Sequence, residues 1–161
     1  MILTIKIILI LSFLIILIQD IRNRAVYWFL FPLSGLCAGI LYYNDTLSEL
    51  FAASIVINLT FIGLLIAIVF IYAKLKLKTS LKHVIGLGDV LLFVALAFSF
   101  SSVSFLILFI FSLVFALVIH KVIKPQPKYK DLIPLAGYMS LFFAITYLAF
   151  WIGITPSLYT L

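Results

Sequence analysis

Two carboxylates in this chain stand where a carboxylate is costly. Asp89 follows Ile85-Gly86-Leu87-Gly88 and heads an apolar stretch that carries no further charge until His120 and Lys121. Asp20 ends the first apolar segment, just ahead of Arg22 and Arg24. At the centre of a membrane helix such a charge costs roughly 2.5–3.5 kcal/mol on insertion scales, and less near an interface. Acids in these places mark function and call for a partner, and each is the obvious partner of the other. Two carboxylates brought close in a low-dielectric site do not both ionise easily; they share a proton and titrate as a unit. The ionised member takes a proton from a water while the protonated member polarises a carbonyl. That is the chemistry of aspartic peptide hydrolysis, which needs neither a metal nor an organic cofactor. Gly86 and Gly88 have a use beside it, since they let the backbone unwind and an extended substrate approach closely.

The surroundings of these acids follow from composition. Of 161 residues, 66% are hydrophobic and 10% charged, against about half and a quarter in a soluble domain. The chain reads as an all-α, polytopic membrane protein with the lipid bilayer as its first partner, and it is too short for a second large domain. The net charge of +6 does not point to nucleic acid, because the basic residues cluster at segment ends, where topology and anionic headgroups account for them. Lys6 followed by Ile7 to Ile18 has the outline of a signal peptide, but Gln-Asp-Ile-Arg-Asn-Arg follows with no small-residue cleavage site, so residues 1–19 read as a retained helix.

A helix needs about 20 residues to cross a hydrocarbon core of roughly 30 Å. Charges and the polar run Ser99 to Ser104 cut the chain into six such pieces, predicted near residues 1–19, 25–43, 50–73, 84–99, 104–121 and 132–152, as one bundle domain over 1–161. Joining the fourth and fifth would require a helix of more than about 30 residues, which bilayer thickness disfavours. Arg22 and Arg24 follow the first piece, Asp45 and Glu49 the second. Lys74, Lys76, Lys78 and Lys82 follow the third, and Lys121, Lys124, Lys128 and Lys130 the fifth. By the positive-inside rule the first, third and fifth loops are cytoplasmic and both termini face outward; Lys6 alone argues the other way. Asp20 and Asp89 then lie at the cytoplasmic ends of their helices, at similar depth, where they can meet.

Simpler readings compete residue by residue. Asp20 could be a loop acid offset by Arg22 and Arg24, and Asp89 a helix N-terminal acid favoured by the macrodipole by about 0.3–1 kcal/mol. His83 and His120 adjoin lysines at helix ends and read as interfacial, with no second ligand at a metal-binding spacing. Cys37 reads as a small core residue and cannot form an internal disulfide. Tyr27-Trp28-Phe29 and Phe150-Trp151 read as interface or packing residues. Asn58-Leu59-Thr60 matches the glycosylation pattern but falls in mid-helix. The third loop, Lys74 to His83, alternates lysine and leucine like an interfacial segment, and Pro125-Gln126-Pro127 should hold the fifth loop extended.

Gly86-Leu87-Gly88-Asp89 resembles the GxGD motif of intramembrane aspartyl proteases. Asp20-Ile21-Arg22-Asn23-Arg24 resembles the first aspartate motif of the type IV prepilin peptidase family, and Ile133-Pro134-Leu135-Ala136-Gly137 the proline-containing segment that begins the last helix of that family's core. Order, helix count and the side on which the acids lie agree, so the resemblance spans essentially the whole chain. It implies a membrane aspartic endopeptidase of a prokaryotic cytoplasmic membrane that removes leaders from prepilin-like proteins, with Asp20 and Asp89 as catalytic acids, Gly86 and Gly88 in support, and no metal or cofactor. Val26-Tyr27-Trp28 stands where the family often has Ile-Pro-Asn, and Leu91 where it often has lysine. The cysteine-rich insert that many bacterial members carry between their first two helices is missing, which resembles the short, non-methylating forms. From another class, a small proton-coupled transporter or channel would use the same acids as a relay, and an inactive pseudoprotease scaffold would keep them without cleavage. Oligomeric state is not legible.

Overall fold

The computed structural model describes residues 1–77, 86–123, 133–154 and 158–159. Among these the chain is all-α, with six α-helices: α1 (Ile2–Asn23), α2 (Leu30–Asn44), α3 (Ser48–Tyr72), α4 (Leu87–Leu96), α5 (Ser102–Val122) and α6 (Leu135–Trp151). A π-helical turn, Ala73–Leu77, continues α3. Three helices are long and apolar enough to cross a membrane: α1, α3 with its continuation to Lys76, and α5. The chain divides at the serine run, as its polarity predicts. His83, the lysines at 78 and 82, the start of the expected fourth helix and Pro125-Gln126-Pro127 lie outside the described residues.

Several boundaries differ from the sequence reading, and α1 runs past the expected 19 to Asn23, so that Asp20 lies inside it. The second helix begins at Leu30 rather than near 25. Arg24 ends α1 in the left-handed conformation (φ 53°, ψ 22°), and the Tyr27 amide donates to Gln19 Oε1 at 3.0 Å, which holds the intervening segment out of a helix. The fourth helix covers ten residues instead of the expected 84–99. At 1.5 Å per residue it reaches about halfway through a bilayer core, so the turn that follows it needs partners away from water. The last helical carbonyls, Phe93 to Leu96, accept the amides of Ala97, Phe98 and Ser99, and Asn58, in the middle of α3, donates its side-chain amide to the carbonyls of Ala97 (3.0 Å) and Phe100 (3.1 Å) beyond the helix.

That contact belongs to the inward face of α3. On α3 the buried residues are Ser54, Asn58 and Ile62, while Val56, Ile57, Leu64 and Ile68 are exposed. Two of the three buried side chains are polar and most of the outward ones aliphatic, an arrangement a hydrocarbon solvent favours. Tyr42 on α2 donates to Ser54 Oγ at 3.0 Å, a second polar link to α3. Asn58→Leu removes both hydrogen bonds to the end of α4 and leaves two carbonyls unpaired. The expected loss is about 1–2 kcal/mol, read as a lower unfolding midpoint in detergent micelles.

α6 is the hub. It packs against α1, α5 and α4, while α2 lies between α1 and α4. The core it organises is aromatic: Phe100 stacks on Phe143 (5.6 Å) and Tyr147 (5.3 Å). α2 approaches α4 over Gly35, where a Cβ would lie 3.1 Å from the Ala95 Cα. These contacts bring the start of α4, the end of α1 and the start of α6 to one end of the bundle.

Candidate active site

Each acid begins from a local helix-end problem. Gly86 is the N-cap of α4, in extended conformation, and its carbonyl accepts the amides of Asp89 (3.1 Å) and Val90 (3.3 Å). Asp89 is therefore the third helical residue, where an acid reaches back to the N-cap backbone and favours the positive end of the helix. Its carboxyl does face the Gly86 backbone. Asp20 has no such support from its own helix. It lies in the last turn of α1, where the macrodipole disfavours a negative charge. An acid there needs compensation from elsewhere.

The compensation comes from α6. Pro134 caps this helix, and its carbonyl accepts the Tyr138 amide at 3.0 Å. First-turn amides have no partner within their own helix. The Ala136 amide donates to Asp89 Oδ1 at 2.9 Å, and the Gly137 amide donates to Asp20 Oδ2 at 2.7 Å. Two consecutive amides at the positive end of one helix thus hold two carboxyls from two other helices, an anion site built from backbone. Ser140 braces the same turn by donating to the carbonyls of Ala136 and Gly137. Both acids are half-buried.

Small residues make the approach possible. A Cβ on Gly137 would lie 3.1 Å from both Cβ and Oδ2 of Asp20 and 3.4 Å from the Leu17 carbonyl, so a side chain here would push α1 away. A Cβ on Gly86 would lie 2.9 Å from Asp89 Oδ2. Gly88 differs: its open side faces the Phe31 ring at 3.4 Å, an ordinary contact, so it bears on packing against α2 rather than on the carboxyl. The two glycines of the motif therefore have separate uses. Gly86→Ala is expected to displace the Asp89 carboxyl more than Gly88→Ala does; the pH midpoint of Asp89 labelling by a carbodiimide in the two variants makes the comparison.

Arg24 completes the electrostatics. It is the one non-glycine residue with positive φ among those described, its Nε and one terminal nitrogen are buried, and its charge acts on Asp20, Asp89 and Tyr138. His120 of α5 lies behind Tyr138, with ring centroids 6.4 Å apart. Among the described residues no three His, Cys, Asp or Glu side chains gather in a group able to hold a metal ion. A trough of about 690 Å³ is lined by apolar residues of α2, α3 and α4 and of the segments next to them, among them Trp28, Phe31, Leu91, Val94 and Phe98.

The structure thus brings Asp20 and Asp89 together and sets Gly86 against the second of them. The sequence reading missed the amides of Ala136 and Gly137 and the part taken by Arg24. A proline ahead of an apolar helix, with glycine three residues on, is the only trace that the amides leave in the sequence. No protein-family model matches the chain, and no curated protein or solved structure matches it.

Proposed function

We propose that this chain is a six-span membrane aspartic endopeptidase that cleaves the leader from prepilin-like proteins at the cytoplasmic face of a prokaryotic cytoplasmic membrane. One observation carries the reading: two carboxyls from different helices sit on successive backbone amides at a third helix's N-terminus. Neither a salt bridge nor a cap requires that arrangement, and paired carboxyls are what acid–base hydrolysis uses. In the proposed reaction the ionised acid takes a proton from water, and the water oxygen bonds to the scissile carbonyl carbon. The other acid gives its proton to the carbonyl oxygen. The tetrahedral adduct then collapses, the C–N bond breaks, and a proton passes to the leaving nitrogen. The α6 amides keep each carboxyl pointed while its charge changes, and they need no rearrangement to do so.

The apolar trough, whose lining includes Leu91 two residues after Asp89, supports a substrate whose cleavage site adjoins an apolar segment. The basic side chains at 22 and 24, on the same end of the bundle as the acids, support a cytoplasmic orientation. The test is co-reconstitution in liposomes with a prepilin-like substrate, followed by N-terminal sequencing of the product. The expected result is one cut ahead of the apolar segment; an intact substrate, with pH-driven proton flux across the liposome, would favour a transporter instead.

A further inference from the structure

Arg24 occupies a position that suits glycine. It follows the last turn of α1 with φ 53°, and its amide donates to the Asp20 carbonyl at 3.2 Å, the arrangement of a left-handed helix cap. A residue with a Cβ is disfavoured there. A strained backbone of this kind persists where the side chain has a task, and this side chain turns inward with its Nε and one terminal nitrogen buried. Arg22, two residues earlier, stays exposed.

We propose that Arg24 is a positioning residue for the acid pair: its cation, fixed by the left-handed cap, keeps one negative charge on Asp20 and Asp89 together. This rests on the reading of the pair as the hydrolytic centre. The charged and titratable groups around it, among the described residues, are Asp20 on α1, Asp89 on α4 and Tyr138 on α6, with His120 of α5 behind the tyrosine. Of these Arg24 is the fixed cation. The α6 amides stabilise negative charge by dipole alone, and two acids on one helix end repel. A permanent positive charge lets the pair reach its singly ionised, working form at lower pH. Arginine suits this better than lysine, because it stays charged at any working pH and is less strongly hydrated.

The test separates cap from charge. Arg24→Gly accepts φ 53° without strain and removes the cation; Arg24→Gln keeps the length and removes the cation; Arg24→Lys keeps the cation. The pH dependence of Asp20 and Asp89 labelling by a hydrophobic carbodiimide, which reacts with protonated carboxyls, is read by mass spectrometry of the protein in liposomes. The labelling midpoint is expected to rise by about one pH unit in the glycine and glutamine variants and to stay near wild type in the lysine variant. The acid limb of the cleavage profile moves with it, and Arg24→Gly unfolds at or above the wild-type temperature. An unmoved midpoint in Arg24→Gly and Arg24→Gln overturns the inference. Labelling needs no substrate, so a wild-type protein that cleaves nothing would overturn the peptidase reading alone.

Discussion

Asp20→Asn and Asp89→Asn are each expected to lower the rate of leader cleavage by about 10²–10⁴-fold, the range that positioned acid–base groups contribute, while both variants stay folded. The second half of that expectation comes from the site's construction. The α6 amides donate to Asp20 Oδ2 and Asp89 Oδ1, and an asparagine carbonyl oxygen accepts the same hydrogen bond. The variants keep the link between helices and lose only the ability to exchange a proton. Alanine would do worse structurally, because it strands a first-turn amide without a partner. Quantitative immunoblotting of processed substrate, with thermal unfolding in micelles as the fold control, checks both halves. Full processing by either asparagine variant would remove the acid from the mechanism. A bell-shaped pH profile in the wild type is expected from the same pair, since activity needs one acid ionised and the other protonated.

What the sequence showed and what it hid have a common physical basis. Side-chain types were legible. The cost of an acid in an apolar chain singled out Asp20 and Asp89, and the loop charges put them at one depth. The serine run marked the division between α4 and α5. What the sequence hid lies in the backbone. The amides of Ala136 and Gly137 hold the two carboxyls, yet a backbone donor looks the same in every residue. The shortness of α4 is hidden as well, because an apolar run shows where a helix tolerates lipid and not where the turn after it finds a partner. That partner, Asn58, sits in a triplet that reads as a mid-helix coincidence until its amide is seen on Ala97 and Phe100. In the sequence Arg24 reads, like Arg22, as a topology charge or an offset to Asp20. Only its φ and its inward side chain distinguish it from Arg22.

Gly137 gives the most exacting test of the geometry. Alanine is the better helix former by about 1 kcal/mol, so on local grounds Gly137→Ala should stabilise α6. The structure predicts loss of activity instead, because the new methyl would sit 3.1 Å from Cβ and Oδ2 of Asp20. To make room, Asp20, or α1 with it, must give by a few tenths of an ångström. Gly137→Val needs a larger separation. Misplacement of a reacting group by about 1 Å costs on the order of 10²-fold in rate, and the valine variant is expected to lose about that much in kcat, with the alanine variant between it and wild type. KM should change little, since the trough lies on α2, α3 and α4 rather than along this contact. Gly63 on α3 supplies the control: a Cβ there would meet nothing within 4 Å. Gly63→Ala is therefore expected to raise the unfolding midpoint and leave kcat unchanged. If Gly137→Ala behaves as Gly63→Ala does, α6 does not hold Asp20 in its working position, because a carboxyl seated on the Gly137 amide leaves no room for the methyl group.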